Sequence, residues 1–220
     1  MPTPVRFHFD YLSPYAYVAW TQIHRVVESR GRAVAPVPVL FAGLLDAHGQ
    51  KGPAEIPSKR VYAFKDAYRK AHRLGLPPLT PPSSHPYNPL LSLRISSLEL
   101  DPATVRRIAD AFFAAVWQRG IAIDVPEVVA PILAELGLDA ADLIARANAP
   151  DTKDRLRRNT ETAIAAGVFG VPTALADGEI FWGVDSLELL DDYLAGRDPL
   201  PADVAHRWAN LPSTATRRRP

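Results

Sequence analysis

The chain has 220 residues, 47% of them hydrophobic, which is enough to bury a sizeable core as one domain or two joined ones. A formal net charge of +1 argues against a general nucleic-acid binder, which needs a surplus of Lys and Arg on one face. The absence of cysteine removes disulfides, thiolate nucleophiles, CxxC redox chemistry and thiolate metal sites together.

Residues 5–9 form the first predicted strand and 14–29 the first helix, ending near Gly31. Pro14 suits the first helical position, where its missing N–H would be orphaned and its φ is already helical. Ser13 is a preferred N-cap. A hydroxyl therefore stands at the positive end of a helix just past a strand, a point that stabilises an anion or a polarised sulfur. The plainer reading is a capped helix and nothing more. A second strand spans 33–40, and Pro36 and Pro38 within it predict an edge position. This β-α-β opening implies a parallel pair with a right-handed crossover.

From 42 to 167 strand-like alternation all but disappears. Residues 43–57 read as a loop with at most a short helical turn. Residues 58–74 are a helix, with Val61, Phe64, Tyr68 and Ala71 three and four residues apart and Gly75 as the stop. Residues 77–89 hold six prolines with His85, Tyr87 and Asn88, an ordered irregular loop of the length that often carries function. Further helices are expected over 90–100, 102–119, 126–136, 140–147 and 151–166. Strands return over 168–176 and 179–182, joined by the hairpin signal Asp177-Gly178. The stretch from Gly183 to Ser186 opens a helix reaching Leu194, residues 202–208 allow a short helix, and the basic run 217–219 reads as a solvated tail. No basic-then-apolar leader opens the chain, and no apolar run approaches the roughly 18 residues of a membrane span. A soluble, cytoplasmic protein without metal, nucleic-acid or membrane partners is expected.

The resulting order is β-α-β, a long helical stretch, then β-β-α. It is the order of an α/β thioredoxin-like domain, discontinuous over 1–41 and 168–200, with an all-helical insertion over 42–167 and a tail over 201–220. An unrelated α+β fold is the alternative. In the thioredoxin-like arrangement Ser13, the Val171-Pro172 peptide and the Val184-Asp185 helix start converge at one sheet end. Pro172 follows a Gly-containing turn and precedes a strand, a setting suited to a cis bond, although only about 5–6% of X-Pro bonds are cis. Val171 would then turn its N–H and C=O outward to pair with an extended peptide. Asp185 offers a carboxylate for an amine, and nearby N–H groups suit a carboxylate; its plainer reading is an N-cap. A peptide backbone, an amine and a carboxylate held around a hydroxyl describe a glutathione site.

The segments FDYLSPYAY, GPAEIPSKRVYAFKDAYRKAHRLGLP, HPYNPLLSLR, AFFAAVWQRG and GVFGVPTALADGEIFWGVDSLELL resemble 2-hydroxychromene-2-carboxylate isomerases and the related kappa-class glutathione transferases, within the wider DsbA-type group. The resemblance implies that the Ser13 hydroxyl faces the glutathione sulfur and that Val171, before Pro172, binds the cysteinyl backbone. It implies that Trp182, Gly183, Val184 and Asp185 receive the γ-glutamyl end and that Gln50 stands at a glutathione contact. Glu55 and Asn88 would face the substrate, with His85 and Tyr87 in the same loop as Asn88. Lys59, Tyr62, Asp66 and Arg69 match the first inserted helix and read mostly as structural ion pairs and packing. Ser186 stands where an Arg is frequent, removing a cation, and Glu55 stands where an Asn is usual, adding a negative charge near an anionic substrate. Serine in place of the reactive cysteine excludes DsbA-type redox chemistry.

What the resemblance implies is a glutathione-dependent isomerase of aromatic compound catabolism, acting by reversible thiol addition, as a homodimer. A small thiol with a pKa near that of free Cys, about 8.5, is only a few per cent thiolate at neutral pH; a hydroxyl donor and a helix N-terminus would lower that value. A kappa-class-like transferase that conjugates electrophiles is the alternative, and a non-catalytic thioredoxin-like binding module is the second. Phe41, Tyr11, Tyr15 and Trp182 suit a flat apolar ligand, although aromatic residues are more often core.

Overall fold

In the computed structural model, which describes residues 2–201 and 204–212, the strands form one sheet in the order β2-β1-β3-β4. β1 (Val5–Phe9) is parallel to β2 (Val34–Pro38), while β3 (Thr173–Ala176) is antiparallel to β1 and to β4 (Glu179–Trp182). Pro36 and Pro38 lie in β2 at the sheet edge, as their missing N–H groups require. The expected order β-α-β…β-β-α is the order observed.

Helix α1 (Pro14–Glu28) returns from β1 to β2. The helices α2 (Phe41–Ala47), α3 (Pro57–Arg73), α4 (Leu90–Ser96), α5 (Pro102–Trp117), α6 (Pro126–Glu135), α7 (Ala140–Asn148) and α8 (Pro150–Ala165) fill the long interval before β3. α9 (Leu187–Leu194) and α10 (Val204–Ala209) follow the hairpin. One core runs through both parts. Phe7, Phe9 and Trp20 from the sheet and α1 pack with Phe112, Phe113 and Trp117 of α5. The Phe9 and Tyr11 rings lie 5.5 and 4.7 Å from that of Phe113. Each such ring, withdrawn from water, contributes about 1.5–3 kcal/mol. A smaller cluster joins Val37, Val39 and Leu44 to Ala163, Val168 and Val171. Among the described residues no helix is long and apolar enough to cross a membrane.

Three expectations need correction. The loop expected over 43–57 contains α2 and a 3-10 turn, Pro53–Glu55. Gly43, the first residue of that expected loop, is a packing residue, because a Cβ there would meet the Thr160 Cγ2 of α8 at 3.1 Å. β3 starts at Thr173 rather than 168: the Val168 N–H still bonds the Ala163 carbonyl at the end of α8 (2.9 Å) and cannot join the ladder. Tyr11 is core rather than ligand-facing, wholly buried with its hydroxyl 2.6 Å from Ser96 Oγ. The short helix expected over 202–208 corresponds to α10, and the basic run 217–219 lies outside the described residues.

Candidate functional site

The site begins where β1 hands over to α1. Ser13 is the N-cap of α1: its Oγ accepts the Ala16 N–H at 3.1 Å, and Pro14 occupies the first turn. The same hydroxyl points its donor at the Val171 carbonyl, 3.5 Å away. That distance is the outer limit of a hydrogen bond, so the proton is weakly engaged. Ser13 is 8% exposed.

The four residues leading into α1 are clamped through their backbone. The Asp10 carboxylate accepts the N–H groups of Leu12 and Phe41, each at 3.0 Å, and the Asp10 carbonyl accepts the Ser13 N–H at 3.1 Å. Trp117 Nε1 donates to the Tyr11 carbonyl (2.9 Å), and His85 Nε2 donates to the Leu12 carbonyl (2.8 Å). The His85 ring is packed between Phe64 and Trp117, with centroids 5.2 and 5.6 Å away. Burial pushes the His85 pKa down, so the imidazole is neutral and carries its proton on Nε2. Burial pushes Asp10 up to about 6, against the pull of its two N–H partners. Asp10 and Trp117 lie in two of the segments that carry the resemblance, FDYLSPYAY and AFFAAVWQRG, but the sequence assigns neither a role. A carboxylate directly after an apolar strand was the available signal for Asp10.

On the opposite wall the Val171-Pro172 bond is cis, as its setting predicted. Val171 presents its carbonyl to Ser13, and its N–H makes no hydrogen bond among the described residues. The Pro172 carbonyl accepts the Gly183 N–H at 2.9 Å, which ties the stretch from Trp182 to Asp185 to this wall. Gly170 leaves room for the Trp182 indole as it stands: a Cβ there would lie 2.8 Å from Nε1 and displace it. The indole is 53% exposed and packs, tilted by 60°, against the Phe169 ring at 5.1 Å. Val184, Asp185 and Ser186 form a 3-10 turn ahead of α9. Asp185 caps no helix; its side chain is 82% exposed and pairs with Lys70 of α3, Oδ1 to Nζ 3.6 Å.

Lys70 was not foreseen. It also holds Asp66 at 2.6 Å, and Asp66 accepts the Tyr15 hydroxyl at 2.9 Å. The i,i+4 spacing of Asp66 and Lys70 was the available signal. Of the four α3 residues read as structural, Asp66 is in this network, while Tyr62 is 62% exposed and Lys59 and Arg69 are exposed.

Ser13, Val171, Pro172, Gly183 and Asp185 are thus joined by direct contacts or through the chain. Gln50, Glu55 and Asn88 are not. Gln50 is exposed beyond α2, its N–H on the Leu45 carbonyl (2.9 Å). Glu55 turns one oxygen back on its own loop, to the Gly52 N–H at 2.6 Å. Asn88 is exposed and accepts the Leu90 N–H at 3.1 Å.

Known proteins resemble this chain over most of its length. The chain is 29% identical over 189 residues to the 2-hydroxychromene-2-carboxylate isomerase of Pseudomonas putida, covering 85% of this chain and 92% of that protein. Human glutathione S-transferase kappa 1 is 26% identical over 222 residues, covering 94% and 98%. A solved structure of a 2-hydroxychromene-2-carboxylate isomerase matches with a TM-score of 0.81 at 26% identity, covering 96% of this chain and all of that one. The family of the DSBA-like thioredoxin domain matches residues 4–195. A mixed sheet interrupted by helices and matched over that length makes the chain a member of the DSBA-like thioredoxin domain family.

Proposed function

We propose that the chain is a glutathione-dependent isomerase acting by reversible thiol addition on an aromatic or chromene-type carboxylate. The observation that carries this reading is the weakly engaged Ser13 hydroxyl at the start of α1, 3.5 Å from the Val171 carbonyl, with the exposed Asp185 carboxylate on the stretch that Pro172 ties to the same wall. The relatives matched over most of their length include 2-hydroxychromene-2-carboxylate isomerases and kappa-type glutathione S-transferases.

The residues present fit glutathione. The chain has no cysteine, so a thiol must be brought in. Val171 offers an unengaged N–H and a weakly engaged carbonyl for a peptide backbone, and Asp185 offers an exposed carboxylate for an amine. When bound, glutathione supplies a thiol that adds to an unsaturated carbon of the substrate and leaves again, so that it is regenerated. Ser13 turns its proton from Val171 to the sulfur, and the partial positive charge of the α1 N-terminus favours the thiolate. Trp182, Gly183, Val184 and Asp185 receive the γ-glutamyl end, with Gln50 as a further contact. The clamped stretch 10–13 keeps the hydroxyl from wandering, and Glu55 and Asn88 meet the substrate through the atoms their own loops do not use.

A second reading, conjugation of an electrophile by a kappa-class-like transferase, is favoured by Glu55, whose charge would repel a carboxylate substrate. Cytoplasmic residence and a homodimer belong to the same proposal, the latter checked by sedimentation. Glutathione at millimolar concentration should raise the melting temperature by ligand linkage; no shift would sink both readings. Recovery of glutathione after turnover marks the isomerase, and its consumption marks the transferase.

A further inference from the structure

Between α1, the end of α3 and α9 lies a cleft of about 620 Å³. Val184 and Asp185 belong both to its lining and to the candidate site, and Lys70 reaches it from α3. The Lys70 ammonium is fixed from behind. Asp66 takes it at 2.6 Å, Asp66 is itself held by the Tyr15 hydroxyl at 2.9 Å, and Nζ lies 5.6 Å from the Tyr15 ring centroid. An ammonium has three donors. Its 3.6 Å separation from Asp185 is an ion pair without a direct hydrogen bond, so donors are left over on the cleft side. An exposed pair of this kind contributes little to stability and is exchanged for a ligand at small cost.

A fixed ammonium beside an exposed carboxylate is the complement of an α-amino acid head group, which carries an ammonium and a carboxylate on one carbon. We infer that Lys70 is the residue that recognises the α-carboxylate of such a head group when its amine is held by Asp185. The inference rests on the proposed function in one respect: the head group is the γ-glutamyl end of glutathione. Neighbouring groups do not take this role. Ser186 carries no charge, and its hydroxyl is spent on the Trp182 carbonyl at 2.5 Å. Arg30, also in the cleft lining, is engaged in two bonds to Asp191 at 2.8 and 2.6 Å. Arg25 and Arg73 line the cleft as well, but among the described residues the cation paired with Asp185 is Lys70.

The test is a binding titration of glutathione against γ-aminobutyryl-cysteinyl-glycine, the analogue that lacks the glutamyl α-carboxylate. The wild-type protein should prefer glutathione by about tenfold, the worth of one charge-assisted hydrogen bond. Lys70→Met should weaken glutathione by about that factor, leave the analogue unchanged, and so abolish the preference. Lys70→Arg should restore part of it, and Arg73→Met should leave it intact. Glutathione bound by wild type with a preference that survives Lys70→Met, or that is lost in Arg73→Met, overturns the role of Lys70 alone. No binding of either tripeptide by the folded wild-type protein removes the glutathione reading and this inference together.

Discussion

The hydroxyl oxygen of Ser13 lies 3.5 Å from the carbonyl oxygen of Val171, a residue 158 positions later in the chain. A serine hydroxyl has one proton to give. Here it is aimed at a carbonyl at the limit of bonding distance, while the oxygen's accepting side is used by the Ala16 N–H. The cap and the candidate chemistry therefore draw on different halves of the same group: the helix uses the lone pair, and the proton is left for a ligand.

That division predicts two separable effects of Ser13→Ala. Loss of the cap should cost about 1 kcal/mol of stability, read as a lower denaturation midpoint. Loss of the donor should raise the pKa of bound glutathione, read as a weaker ultraviolet thiolate band near neutral pH. A destabilised variant whose thiolate band matches wild type would leave Ser13 as a cap only.

His85 is expected to act on Ser13 through the backbone. His85→Phe keeps an aromatic ring between Phe64 and Trp117 but leaves the Leu12 carbonyl without its donor, a loss of about 1–3 kcal/mol for a buried acceptor. Amide hydrogen exchange at Leu12 and Ser13 should then quicken more than the fall in global stability explains. His85→Gln, which retains a donor, should recover part of the protection. Equal exchange in wild type and His85→Phe would show that the clamp does not depend on His85.

The parts of this site that could be read from the sequence are those whose cause is local, together with the meeting of Ser13 and Val171 that the thioredoxin-like order of elements implies. Ser13-Pro14 is a cap and a first-turn proline wherever it occurs, and Asp177-Gly178 makes its hairpin unaided, with Asp177 at φ 53°. The edge position of β2 follows from its prolines in the same way. The loop expected over 43–57 hid α2 because the sequence does not reveal that α8 packs on Gly43. Lys70, Trp117 and His85 act on groups 115, 106 and 73 residues away, which only the packed helices bring within reach. Asp185 was a plausible cap by its position and became an exposed ion-pair partner because the turn before α9 is 3-10, with no side-chain cap.

Gly170→Ala should displace the Trp182 indole, since the new methyl would sit 2.8 Å from Nε1. The exposed indole can swing away, so the cost to stability should be small, within about 1 kcal/mol. Its tilted contact with the Phe169 ring would be lost. The expected outcome is weaker glutathione binding with a nearly unchanged denaturation midpoint, measured by titration and urea unfolding. Unchanged binding would argue that the indole does not border the γ-glutamyl end.

The pH dependence of stability should carry two opposed contributions from neighbouring residues of one strand end. Asp10, raised by burial to about 6 from 3.8, keeps its proton longer in the native state than in the unfolded chain. Its contribution is complete below about pH 4 and is lost as pH rises through 6. His8, wholly buried and lowered by burial to about 4 from 6.5, is neutral in the native state where the unfolded chain is protonated. Its contribution is present above pH 6.5 and is lost as pH falls towards 4. Each is worth about 3 kcal/mol at 1.4 kcal/mol per pH unit, so between pH 4 and 6 they nearly offset. Asp10→Asn removes the falling part, and its urea-unfolding free energy should rise with pH more steeply than wild type over that interval. His8→Asn, which retains a donor for the Thr173 carbonyl, removes the rising part, and its stability should fall as pH rises. Three parallel curves between pH 4 and 6 would mean that neither group titrates differently on unfolding.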